Sequence, residues 1–261
     1  MRLVALCLTL VASSALAADF EGILTGKPTR SDATQPGLES MKMYLSPAGW
    51  RMEATGEAGK KGAKGDSGET PFRMTVLWRA ADPGVTYILN DDSKAYMKHD
   101  ISKEKEAVAE PPKVEKLGKI TFLGRSVERV KVTHKDHSQE LWVDTSLKFP
   151  AAALAALNRE QGGRSSWRAL EKAGVAGIPL KEVNADGTSG WEATSVERKS
   201  LPASMFQVPA GFHQATDPLD MAPPGKQAEL KKERDEALQK MSPEQRQKLE
   251  EMMKKYQQQG H

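Results

Sequence analysis

The sequence predicts a mainly β protein: a curved antiparallel sheet, or incomplete barrel, crossed by short helices and followed by a charged C-terminal helical tail. Three observations lead there. Short segments alternate apolar and polar side chains between turn residues, the pattern of an antiparallel sandwich or barrel. Pro150 opens a stretch whose apolar period becomes that of a helix. Beyond Asp217 the composition shifts to Pro, Lys, Glu and Gln, as in a linker and solvated helices.

The chain starts with Met1-Arg2, an apolar run Leu3–Val11, then Ala15-Leu16-Ala17. A charged start, a short apolar stretch and small residues before a cleavage point make a secretory signal peptide. Cleavage is expected after Ala17, leaving a periplasmic or secreted protein. The run is too short to span a bilayer, and no integral membrane segment is expected in the mature chain. Cys7 is the sole cysteine and lies within the apolar run, a poor context for lipid attachment. A mature chain without cysteine has no disulfide, thiol catalysis or zinc–thiolate site.

Asp19–Thr25 is the first expected strand, ended by Gly26 and Pro28. In Met41–Leu45, Met41, Met43 and Leu45 share one face, with Lys42 and Tyr44 on the other. Ser46-Pro47-Ala48-Gly49 turns the chain, and Trp50-Arg51-Met52-Glu53 starts the return. Gly56–Thr70 reads as five Gly-X-Y triplets without proline. A collagen helix needs three chains and much imino acid, so this is expected to be a flexible hairpin insertion. In Phe72–Arg79, Met74, Val76 and Trp78 alternate with Arg73, Thr75, Leu77 and Arg79. Val85–Leu89 and Lys94–His99 are the next pair of strands.

Residues 100–116 are rich in Lys, Glu and Pro and read as a solvated connector. Strands resume at Lys119–Phe122, Val127–His134 and Gln139–Asp144. Ala151–Glu160 is a helix with Leu154 and Leu157 on one face. Ser165 is placed to cap a second helix over Ser166–Lys172, with Trp167 and Leu170 facing one way. These helices would cover the hollow of the sheet. Ile178–Val183 and Gly190–Lys199 form a last hairpin around Asp186-Gly187. Roughly ten strands result.

Ser195–His213 closes the domain. Pro202 stops the strand, Ala203–Phe206 makes one helical turn, and Pro209-Ala210-Gly211 turns the chain again. Burying Phe206, Val208 and Phe212 would contribute roughly 1.5–3 kcal/mol each. The clip is expected to close the end of the sheet. The organisation is therefore a signal peptide (1–17), a β domain (18–216) with its insertion (56–70) and connector (100–116), and a linker with helical tail (217–261). In the tail, Lys226–Lys240 is a charged helix. Ser242-Pro243-Glu244-Gln245 then offers a capping box, followed by Leu249, Met252, Met253 and Tyr256 at helical spacing.

Five pieces together resemble an exported bacterial family catalogued as a domain of unknown function: MKMYLSPAGWRME (Met41–Glu53), VTYILNDDSKAYM (Val85–Met97), ELWVDTSL (Glu140–Leu147), GIPLKEV (Gly177–Val183) and the ending LPASMFQVPAGF (201–212). That family is similar in strand order and closing turn to the periplasmic lipoprotein carriers. The resemblance implies an incomplete barrel over helices that holds acyl chains in an apolar hollow. MSPEQRQKLEEMM (241–253) is also similar to a helical motif of small periplasmic stress chaperones.

Chemistry is sparse. Cleavage removes Arg2 alone among the charged residues, so the net charge goes from +3 to +2. That balance argues against a nucleic-acid partner. No GxSxG elbow, phosphate loop or HExxH occurs, and no carboxylate pair is singled out, so neither an enzyme nor a cofactor is expected. His134, Asp136, His137 and Glu140 lie close in sequence, but spacing fixes no third strong ligand. His134 and His137 remain the weak candidates for a metal. Glu182, Asn184, Asp186 and Gly187 mimic a calcium loop whose twelfth position is Ala193, so that pattern fails. Met41, Met43, Met52, Met74, Val76 and Trp78 are the candidate lining for a lipid or other hydrophobic ligand, adaptable thioethers among them. The expected function is non-catalytic hydrophobic ligand binding on a concave face. The alternatives are an envelope-stress or interaction module gripping a protein partner with its tail helices, and a metal-binding protein.

Overall fold

The computed structural model describes residues 19–29, 37–58, 70–102, 111–135, 137–160, 166–185, 190–245, 247–248 and 251. The expected signal peptide, residues 59–69 of the insertion, residues 103–110 of the connector, Asp136, Ser165, Asp186-Gly187 and most of the last helix lie outside them.

Among the described residues twelve strands form a single sheet, two more than the ten or so expected. Five make one antiparallel meander: β2 (Gly37–Ser46), β3 (Gly49–Ala58), β4 (Thr70–Arg79), β5 (Val85–Asn90) and β6 (Ala95–Asp100). A second meander holds β7 (Lys113–Phe122), β8 (Arg125–Thr133), β9 (Ser138–Asp144), β10 (Ile178–Asn184) and β11 (Gly190–Arg198). β1 (Gly22–Pro28) joins the two, pairing with β2 on one side and β11 on the other. The twelfth strand, β12 (His213–Gln214), lies parallel to β6. β12 and β7 end the ladder without meeting, so the sheet stays open.

Several strands outrun the sequence expectation. β1 passes through Gly26 and Pro28: opposite the step from Thr25 to Gly26, β11 carries one extra residue, Thr194, as a bulge, and pairing continues to Pro28. β7 starts at Lys113, inside the segment expected to be connector. It is an edge strand, so its polar residues face water without cost, and a register shift between Lys116 and Gly118 interrupts the edge. β3 and β4 likewise extend to Ala58 and Thr70 at the ends of the insertion.

Two helices fill the β9–β10 connection: α1 (Ala151–Glu160) and α2 (Trp167–Lys172). On α1 the fully buried residues are Ala153 and Ala156, with Leu154 and Leu157 packed beside them against the sheet. Small side chains let the helix come close, and the leucines flank the contact. Ser166, not the expected Ser165, is the N-cap of α2, and its hydroxyl makes no cap bond. It meets Gln139 Nε2 at 3.2 Å and His134 Nε2 at 3.3 Å instead.

The inner face of the sheet packs under these helices through Leu24, Leu45, Trp50, Val76 and Trp78. Of the closing stretch, only His213 meets the end of the sheet, in β12; contrary to expectation, the segment before it does not cap that end. It lies across the outer face. Phe206 in the 3-10 turn Ala203–Phe206 packs with Tyr44 and Leu201, while Val208 and Phe212 reach Leu77, Tyr87 and Leu89. This explains why Leu77, in phase with polar Arg73 and Arg79, is fully buried. Gly49 leaves the room: a Cβ there would stand 3.0 Å from Phe206 Cβ.

The tail continues from a 3-10 turn at Pro218–Met221, capped by a reciprocal Asp217–Asp220 box, into α3 (Pro224–Lys240). Asn90 Nδ2 donates to Met221 O at 2.6 Å and ties the turn to β5. α3 folds back on the turn through Lys231–Asp220 (2.9 Å) and an Arg234–Asp217 pair, and none of its residues is buried. The expected capping box forms between Ser242 and Gln245. No helix among the described residues is long and apolar enough to cross a membrane.

Candidate functional site

Strand register decides which apolar side chains line the space under the helices. Leu24, Met43, Met52 and Val76 are successive cross-strand partners from β1 to β4, forming one continuous row. Side chains opposite one another in antiparallel strands project to the same face. This row is the floor of a cavity of about 350 Å³, within the range of small-molecule sites of roughly 300–1,000 Å³.

Trp50 borders the floor from the next row, and Phe149 and Leu157 stand on the side of α1. Trp167 comes from α2, while Ile178, Pro179 and Glu182 come from β10 and Trp191 from β11. The cavity thus lies between sheet below and helix above, partly open to solvent, and its lining is almost wholly apolar.

The six sequence candidates fall in three adjacent rows. Met43, Met52 and Val76 line the cavity. Trp78 belongs to the row below, where it pairs with Trp50, is 1% exposed and donates through its indole to Pro83 O. Met41 and Met74 belong to the row above, joined through Ala54. Neither lines the cavity, and Met74 is 39% exposed.

Sequence reasoning did not single out Trp191 or Glu182 as cavity residues. They face one another across β10 and β11. Trp191 lies flat against Gly26, where a Cβ would sit 2.5 Å from its ring. Only glycine permits that approach, and its place inside a strand was the available signal. Burial pushes the Glu182 carboxyl above its usual pKa, and the field of His137 pulls it partly back.

His134 and His137 stack with ring centres 4.5 Å apart and planes 10° from parallel. Burial and the neighbouring His137 both hold the His134 pKa down. Among the described residues no three His, Cys, Asp or Glu side chains are grouped to hold a metal ion.

A family model described as a domain of unknown function (DUF4412) matches residues 20–212. No curated protein matches the sequence. Among solved structures, an uncharacterized conserved protein from Thermus thermophilus is similar at 10% identity and TM-score 0.44, over 76% of this chain and 91% of that one. The Pseudomonas aeruginosa MucA/MucB complex gives 14% identity and TM-score 0.39, over 77% and 60%. A putative outer membrane lipoprotein-sorting protein domain from Vibrio parahaemolyticus gives 10% and 0.25, over 73% and 90%.

Proposed function

We propose, for a chain that belongs to the DUF4412 family, that it is an exported, non-catalytic protein holding an apolar or amphiphilic small molecule in the hollow between its sheet and α1–α2. One observation carries this reading: a cavity of about 350 Å³ lined by Leu24, Met43, Met52, Val76 and three tryptophans. An apolar hollow of this size gains from a ligand that replaces water against hydrocarbon and indole. The unbranched Met43 and Met52 can follow a flexible chain.

The direct test is titration with a polarity-sensitive naphthylamine dye. Dye emission should rise on binding to the wild-type protein and fall when a long-chain lipid competes. No saturable binding would refute the reading.

A second reading is supported by α3, seventeen residues with none buried. It would serve a protein partner as an arm held at one end by the Asp217 and Asp220 ion pairs. Truncation after Thr216 separates the two: the hollow keeps its ligand, and the arm loses its partner.

A further inference from the structure

Among the described residues the hollow has one ionisable group in its wall. Glu182 sits among Ile178, Pro179, Trp167 and Trp191, and no lysine or arginine among the described residues pairs with its carboxylate. Among the described residues the side chain whose field acts on it is that of His137, an exposed residue of the β8–β9 hairpin, which does not line the cavity. A carboxylate in apolar surroundings is costly unless a cation joins it. The aromatic residues around it have the matching preference. Trp191 is the direct cross-strand neighbour of Glu182, and Trp167 and Trp50 line the same hollow. Indole faces attract organic cations and disfavour anions.

We infer that the hollow takes an amphiphile whose head is an organic ammonium, seated between Glu182 and Trp191 with its hydrocarbon chain over Met43 and Met52. This rests on the proposed function and narrows it. A quaternary or alkylated ammonium is cheaper to desolvate than a bare ammonium, so carboxylate attraction and indole contact can both exceed the dehydration cost. A fatty acid would set two carboxylates side by side. A neutral head would bring no cation to Glu182.

Three amphiphiles sharing a dodecyl chain test this: a trimethylammonium, a carboxylate and a glycerol ether, each titrated below its micelle concentration with tryptophan emission as readout. The ammonium compound should bind at least about tenfold tighter than the glycerol ether, an ordinary gain for a desolvated cation–π contact with a charge partner. In Glu182→Gln that ratio should fall toward one. With wild-type protein alone, the ratio should also shrink as acid protonates the carboxyl, which keeps the test decisive if the variant folds poorly. Equal affinities, a preference for the carboxylate, or a preference that survives Glu182→Gln would overturn the assignment and leave the hydrophobic hollow standing. Failure of all three to bind would remove both.

Discussion

Trp191 lies on Gly26, so that the indole and the β1 backbone meet where any other residue would intrude. The contact holds one wall of the hollow, with Glu182 directly across from the ring on β10. Gly26→Val should therefore displace Trp191. Apolar ligand binding should weaken by about tenfold or more, the equivalent of roughly 1.4 kcal/mol. Unchanged affinity would show that Trp191 does not shape the site.

Met74 and Val76 share a face of β4 but differ by one row. Met74→Asp should leave dye binding intact, since the side chain is 39% exposed and outside the hollow. Val76→Asp should abolish it. The circular dichroism of each variant must first match the wild type. Loss of binding in both would return Met74 to the lining.

Glu182→Gln should raise stability. Burial holds the carboxyl above its usual pKa, so the folded state binds the extra proton and stability falls as the pH rises through the folded pKa. The penalty is absent below the unfolded value of about 4.3 and complete above the folded one. Thermal melts at neutral pH should rise by about 2–4 °C per kcal/mol recovered, with the difference vanishing in acid. Equal melts at both pH values would contradict the burial.

Asp144 has the opposite sign. Burial works to raise its pKa, but hydrogen bonds from Ser146 and Arg125 outweigh it and hold it down. Its stabilisation is present above the unfolded value of about 3.9 and lost as the pH falls through the folded one. Asp144→Ala removes an acceptor that is 1% exposed and should cost about 3 kcal/mol in denaturant melts at neutral pH. A cost under about 0.5 kcal/mol would place the Arg125 contact among ordinary surface pairs.

Alternation made the inner face legible in the sequence: Met43, Met52 and Val76 follow from period two alone. Which row borders the hollow depends on register between strands and on where α1 and α2 lie over them, neither of which period two shows. Met74 and Trp78 therefore look equivalent to Val76 until the strands are paired. Leu77 shows the converse. Its polar phase hid a burial created by Val208 and Phe212, more than a hundred positions on. Glu182 was visible as the first position of a failed calcium pattern, but its apolar surroundings come from α2 and β11, which local spacing does not bring together. The first residues of β7, Lys113–Lys116, escaped because an edge strand tolerates the Lys and Glu that made this stretch read as connector.

A hollow that serves as a binding site is occupied in use. The most direct measurement purifies the protein from a periplasmic extract without detergent, extracts it with organic solvent and analyses the extract by mass spectrometry. A Leu157→Trp variant, which fills the hollow from α1, is carried alongside. One amphiphile at near-stoichiometric yield is expected from the wild type and none from the variant. An empty wild-type protein, or equal yields from both, would contradict that occupancy.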